Sequence, residues 1–221
     1  MHKKEEILDA IIRQGVLPLY FHQDAAVSVQ IMKSLYDAGI RVIEYTNRGK
    51  AALNNLKKLK QAVKKDCKGM LLAMGTVTDG DTAERALEAG ADFLISPGFV
   101  KEVLAVSRRR QVLWVPGCMT PTELIKASQS DIRLVKLFPG NLLGPGFVLS
   151  VKELFPDLLF MPTGGVEPTA DNLTAWFSAG VSAVGMGSRL LTKSVIEKGE
   201  FAHLTSLTTA LLKQIDTIRQ S

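Results

Sequence analysis

Three dipeptides, Ala38-Gly39, Ala89-Gly90 and Ala179-Gly180, punctuate this sequence in the same way, and that punctuation restricts its fold more than any other feature. Each closes a helix-patterned stretch with a residue that accepts a left-handed backbone, and a β-branched run follows within a few residues. The repeating unit is helix, glycine stop, strand. Runs rich in β-formers recur along the chain at Val16 to Phe21, Arg41 to Thr46, Met70 to Gly75, Asp92 to Ser96, Val112 to Pro116, Leu134 to Phe138, Leu159 to Thr163 and Ala183 to Met186. Helical patterns separate them, among them Ala25 to Ala38, Ala51 to Lys64, Asp81 to Ala89, Pro121 to Ala127, Gly146 to Leu154 and Asn172 to Ala179. Eight strands that alternate with helices run parallel, so the expected fold is a single α/β domain over residues 1–221, a (β/α)8 TIM barrel. An open doubly wound sheet is the competing architecture. The strand count and the polar residues at nearly every strand's C-terminal end favour the barrel, which builds its active sites there. Lys3 to Gln14 reads as an extra N-terminal helix. Phe201 to Arg219 reads as a C-terminal one, with Phe201, Leu204, Leu207, Leu211, Ile215 and Ile218 at helical spacing for packing on the barrel or a neighbouring subunit.

The totals narrow the function. With 46% hydrophobic and 22% charged residues among 221, the chain has ample apolar mass for one core. Lys plus Arg exceed Asp plus Glu by 27 to 22, which favours anionic substrates mildly and falls short of a nucleic-acid binder. The densest basic stretch, Lys57 to Lys68, holds no aromatic residue to stack on bases and reads as a solvated helix face. Cys67 and Cys118 are too few and too far apart for a disulfide framework, and His2, His22 and His203 have no ligand spacing. No metal and no other cofactor is expected. No apolar run approaches the roughly 20 residues of a membrane span, and Glu5, Glu6 and Asp9 interrupt the place where a signal peptide needs an apolar core. The expectation is a cytoplasmic protein whose partner is a small molecule, with neither membrane nor nucleic acid.

Lys136 stands alone in the apolar run Leu134-Val135-Lys136-Leu137-Phe138. Desolvating an ammonium costs several kcal/mol, roughly, before any partner offsets it. A buried amine can escape that cost by losing its proton, and the freed lone pair is what a carbonyl-attacking nucleophile needs. The bland alternative is a lysine whose stem packs while its head reaches water. Strand side chains alternate faces, so Val42, Glu44 and Thr46 share one face of the second strand, and Leu134, Lys136 and Phe138 share one face of the sixth. If both faces point inward, a carboxylate and an amine meet at one mouth, as a structural ion pair or as a base beside an imine-forming amine.

Thr163-Gly164-Gly165 and Gly185-Met186-Gly187-Ser188 close the seventh and eighth strands. In phosphate-binding barrels these two loops hold the anion on backbone N–H groups, and glycine lets it approach closely. Ser188 either adds a hydroxyl to the phosphate or caps a helix. Arg48, four residues after Glu44, and Thr76 after the third strand suit a substrate carboxylate.

Ile43-Glu44-Tyr45-Thr46-Asn47-Arg48, Gly75-Thr76-Val77, Ile95-Ser96-Pro97-Gly98, Pro116-Gly117, Val135-Lys136-Leu137-Phe138-Pro139-Gly140, Pro162-Thr163-Gly164-Gly165-Val166 and Gly185-Met186-Gly187-Ser188 follow one another in the order of a known family. Together they resemble the 2-keto-3-deoxy-6-phosphogluconate (KDPG) and 4-hydroxy-2-oxoglutarate (KHG) aldolases along essentially the whole chain. The resemblance implies a class I, metal-free, homotrimeric aldolase that cleaves a 2-keto-3-deoxy sugar acid to pyruvate and an aldehyde, the acid being phosphorylated at C6 or, as the alternative, a different or unphosphorylated 2-keto acid. It implies Lys136 as the Schiff-base lysine, Glu44 as the general base and Arg48 with Thr76 as the pyruvyl carboxylate clamp. It further implies Pro97 and Thr163 at the substrate, with Gly164, Gly165, Gly187 and Ser188 at the phosphate. Many members carry Arg or Lys after the first strand, facing the distal part of the substrate, whereas this chain reads Tyr20-Phe21-His22-Gln23-Asp24, with His22 the candidate substitute. The third strand reads Leu72-Ala73-Met74-Gly75-Thr76, bulkier than the family's usual pattern. Two other readings compete: a phosphate-binding barrel doing epimerisation or decarboxylation, with Lys136 only an electrostatic partner, and a degenerate barrel that binds a sugar acid phosphate without turnover.

Overall fold

The computed structural model describes residues 4–220, so His2 and Lys3 lie outside the described residues. Helix α1 (Lys4–Gln14) leads into β1 (Val16–Tyr20), followed by α2 (Ala25–Asp37), β2 (Val42–Thr46), α3 (Ala52–Lys65), β3 (Leu71–Gly75), α4 (Gly80–Glu88), β4 (Phe93–Ile95) and α5 (Lys101–Arg110). The second half runs β5 (Trp114–Val115), β6 (Gly117–Cys118), α6 (Pro121–Ser128), β7 (Leu134–Leu137), α7 (Gly140–Lys152), β8 (Leu159–Pro162), α8 (Ala170–Ser178), β9 (Val184–Met186), α9 (Lys193–Glu197) and α10 (Phe201–Gln220). Gly39, Gly90 and Gly180 stand at φ of 109°, 103° and 95°, so the three expected stops are left-handed caps.

The strands pair in parallel, in the order β5-β4-β3-β2-β1-β9 and, separately, β6-β7-β8. A parallel bridge between Thr163 and Gly185 joins the second group to β9. The result is an α/β fold with parallel strands in a curled sheet. The fifth expected strand, Val112 to Pro116, needs correction: it is divided into β5, which pairs with β4, and β6, which pairs with β7. The break falls on Pro116, which has no N–H to give to a ladder. Its carbonyl still accepts from the Lys136 amide at 2.9 Å. The expected Gly146 to Leu154 helix also moves. Helix α7 starts at Gly140 and is kinked at Gly144 (φ 68°, ψ 170°) ahead of Pro145, where the sequence pattern stops being helical. Helix α5 was not singled out from the sequence because only Val103, Val106 and Ser107 of its ten residues are buried, too thin a stripe to read.

The strands are buried on both faces, and their side chains divide between the two by the two-residue period. Leu17, Val42, Ala73, Ile95, Val115, Leu134, Met161 and Ala183 form one cluster on the concave face. Ile43, Tyr45, Leu72, Met74, Val135, Leu137 and Phe160 form the other, against the helices. Helix α1 adds Ile7, Leu8 and Ile11 to the concave cluster, each buried side chain contributing roughly 1.5–3 kcal/mol. No helix among the described residues is long and apolar enough to cross a membrane.

Candidate active site

Glu44 lies on the face of β2 that carries Val42, and Lys136 on the face of β7 that carries Leu134, so both point to the concave side. They meet there. Lys136 Nζ donates to Glu44 Oε1 at 3.4 Å and lies 3.5 Å from Oε2, with side-chain exposures of 7% and 1%. A pair this dry is not a surface ion pair, whose contribution is near zero. Lys136 Nζ also sits 5.4 Å from the centre of the Phe138 ring.

Glycines make the room. A Cβ on Gly75 would lie 1.9 Å from Glu44 Oε1 and 2.5 Å from its Cδ, so the carboxylate rests on bare backbone of β3. A Cβ on Gly185 would lie 2.2 Å from Thr163 Oγ1, and one on Gly117 would lie 2.2 Å from the Pro97 carbonyl carbon and oxygen. Thr46 Oγ1 and Thr163 Oγ1 are the buried side-chain polar atoms without a hydrogen-bond partner among the described residues. Both stand at C-terminal strand ends on the concave face, and an unpaired buried hydroxyl is destabilising unless a guest completes it.

Beside the pair opens a cavity of about 260 Å³ whose wall includes Leu19, Phe21, Arg48, Phe138, Thr163, Gly164, Gly165, Gly187, Ser188 and Arg189. Six of the ten expected site residues are therefore gathered around one space: Arg48, Thr163, Gly164, Gly165, Gly187 and Ser188. Glu44 and Lys136 are not on its wall, and Phe138, which is, holds its ring centre 5.4 Å from Lys136 Nζ. Thr76 and Pro97 are outside the cavity wall. Thr76 directly follows the glycine that seats Glu44 and holds φ at 60°, a conformation that a β-branched residue adopts only under constraint. Pro97 packs its backbone on Gly117, the register partner of Lys136. A second cavity, about 320 Å³ and lined by Lys4, Leu8, Arg108 and Arg133, lies at the strands' N-terminal side. Ligands of parallel α/β sheets bind at the carboxyl ends, so the smaller cavity beside the buried pair is the candidate site.

Arg48 is exposed and makes no ion pair among the described residues, which leaves its guanidinium free for a ligand. Gly164 and Gly165 hold φ of 93° and 75°, and Gly165 packs against Asn141, whose Cβ would stand 2.4 Å from a side chain there. Ser188 does not cap the following helix. Thr192 does, accepting from the Val195 amide at 3.3 Å. His22 is not part of the cavity wall, where its neighbour Phe21 stands instead. Its Nδ1 accepts from the Asp24 amide at 3.1 Å, a local turn contact. The loop is fixed from beneath: Tyr45 Oη donates to the His22 carbonyl at 2.9 Å, and Asn55 Nδ2 donates to the same oxygen at 3.0 Å and to that of Gln23 at 3.1 Å. Burial, reinforced by the Glu123 charge, pushes the Cys118 thiol up to about 12, so it is no nucleophile near neutral pH. Two residues escaped the sequence reading. Arg189 is signalled only by following Ser188, and Thr46 only by sharing the face of Glu44.

Among the described residues no three His, Cys, Asp or Glu side chains are placed to hold a metal ion. The chain is 32% identical over 209 residues to the 2-dehydro-3-deoxy-phosphogluconate aldolase of Treponema pallidum, covering 94% of this chain and 96% of that one. It is 28% identical to the KHG/KDPG aldolase of Escherichia coli K12, covering 90% and 92%. A crystal structure of the KDPG aldolase of Legionella pneumophila, with pyruvate captured at low pH as a covalent carbinolamine intermediate, superposes with a TM-score of 0.84 at 25% identity, covering 91% and 96%. The model of the KDPG and KHG aldolase family matches residues 7–207, and the chain belongs to that family.

Proposed function

We propose that the chain is a class I aldolase that cleaves 2-dehydro-3-deoxy-6-phosphogluconate to pyruvate and glyceraldehyde 3-phosphate, and that it also accepts 4-hydroxy-2-oxoglutarate. One observation carries the reading: the buried contact of Lys136 with Glu44 at 3.4 Å, an amine and a carboxylate brought together with side-chain exposures of 7% and 1%. The amine of Lys136 adds to the C2 ketone, and the carbinolamine loses water to give an iminium. Glu44 takes the proton of the C4 hydroxyl. The C3–C4 bond breaks, its electrons enter the iminium to form an enamine, and the aldehyde leaves. Glu44 returns the proton to C3, and hydrolysis releases pyruvate and the free lysine. Condensation is the reverse path. The pyruvate carbinolamine named for the Legionella relative corresponds to the last covalent species of this sequence, which forms when water adds to the pyruvyl iminium, and to the first of the reverse path.

Arg48 and Thr76 are assigned to the pyruvyl carboxylate, Thr163 and Pro97 to the substrate chain, and Gly164, Gly165, Gly187 and Ser188 to the phosphate. The free guanidinium of Arg48, the unpaired hydroxyl of Thr163 and the left-handed glycines on the cavity wall support these roles. The same reading makes the curled sheet a (β/α)8 barrel, β5 and β6 forming one stave, in a single domain over residues 1–221 of a cytoplasmic homotrimer. The strand order and the Thr163–Gly185 bridge support closure. Exposed Leu142, Leu149 and Leu154 support an assembly.

Borohydride reduction in the presence of pyruvate, followed by peptide mass mapping, tests the reading. A pyruvyl adduct on Lys136 is expected. An adduct elsewhere, or none, ends it. Lys136→Ala should lower turnover by about a thousandfold or more while the circular dichroism stays that of the parent.

A further inference from the structure

Arg48 and Arg189 are the charged side chains on the cavity wall, and both are cations. Arg48 follows β2 and Arg189 follows β9, on either side of β1, whose Leu19, Tyr20 and Phe21 line the wall between them. Adjacent strands lie about 4.8 Å apart, so the two strand ends that carry the guanidiniums are roughly 10 Å apart. Arg189 directly follows Gly187 and Ser188, and across the Thr163–Gly185 bridge it adjoins Gly164 and Gly165. Its guanidinium Nη2 is held 3.3 Å from Glu167 Oε1, in a pair with side-chain exposures of 60% and 42%. Ion pairs this wet contribute little, and a phosphate dianion offers Arg a stronger, forked partner than one carboxylate.

Resting on the aldolase reading, we infer that Arg189 is a specificity-determining residue that selects an anionic distal end on the substrate, and that Glu167 is its resting counter-ion, displaced when that anion binds. A six-carbon acid phosphate extended between Arg48 and Arg189 engages both cations. The unphosphorylated acid engages one and leaves Arg189 with Glu167. The apolar part of the lining, Phe21 with Leu191 and Ile196, offers no competing charge. Discrimination between the two substrates then lies in one exposed guanidinium.

The test uses the full chain with Arg189→Gln, at an exposed position, and Glu167→Gln, at a half-buried one. For Arg189→Gln, the ratio of kcat/KM for the phosphorylated over the unphosphorylated 2-keto-3-deoxy acid should fall about tenfold, the loss of one charge-assisted contact. For Glu167→Gln the ratio should rise two- to fivefold. Inorganic phosphate, titrated calorimetrically, supplies a readout that needs no turnover: binding should weaken in Arg189→Gln and tighten in Glu167→Gln. Equal losses on both substrates, or unchanged phosphate binding in Arg189→Gln, would overturn the assignment. Trapping of pyruvate by wild-type protein separates the two claims. If trapping fails, the aldolase reading falls and the inference with it. If trapping succeeds and the ratio stays put, only Arg189 is misassigned.

Discussion

Glu44 reaches Lys136 because position 75 has no side chain. The Gly75 backbone is not left-handed, so alanine fits the local conformation, yet its Cβ would stand 1.9 Å from Glu44 Oε1. Gly75→Ala should therefore leave the fold standing and push the carboxylate away from the amine. Displacements near 1 Å at a reacting group cost about a hundredfold, and that loss in kcat is the expected result. Shortening the acid in the double variant Gly75→Ala, Glu44→Asp should recover part of it. A single variant with parental kcat would show that the seat of the carboxylate does not matter. At this scale the sequence was informative about faces. The two-residue alternation put Glu44 on the face of Val42 and Lys136 on that of Leu134, and the glycine clusters marked the cavity wall. The fit of Gly75 beneath Glu44 had no local signal, because the two are 31 positions apart and become neighbours only through the β2–β3 register.

Between elements, Gln14 joins α1 to the sheet. Its Oε1 accepts from the amides of Arg41 and Val42 at 2.6 and 2.9 Å, and its Nε2 donates to the carbonyls of Val16 and Val42 at 2.6 and 2.8 Å. The side chain completes the pairing of β1 and β2 where their N-terminal ends run out of partners. Gln14→Ala leaves these groups unpaired, which should cost roughly 1–3 kcal/mol. In a chain of this size that lowers the melting temperature by about 2–10 °C in a thermal scan. An unchanged melting temperature would mean that water replaces the amide without cost. The helices and strands themselves were largely legible, because Gly39, Gly90 and Gly180 end helices by local conformation. The division at Pro116 was not. A missing N–H matters only where a strand changes partner, from β4 to β7, and that change is a property of the sheet.

At the scale of the molecule, α7 and the residues after it expose Leu142, Leu149 and Leu154 at 68%, 62% and 69%. Three large aliphatic side chains in water suit a subunit interface. The double variant Leu142→Lys, Leu149→Lys should shift the sedimentation velocity of the proposed trimer to that of a monomer, and an unshifted boundary would place the interface elsewhere. The family likeness, carried by motifs spread from Ile43 to Ser188, was readable in the linear order and agrees with the family model matched over residues 7–207. The sequence alone determined where backbone conformation changes and which side chains of each strand share a face, since both follow from neighbours along the chain. Only the tertiary structure decided that Glu44 touches Lys136 across 92 residues, that Phe21 rather than His22 lines the cavity and that Arg189 shares its wall with Arg48. Those contacts depend on strand register and curvature, which arise from packing the whole sheet on its helices.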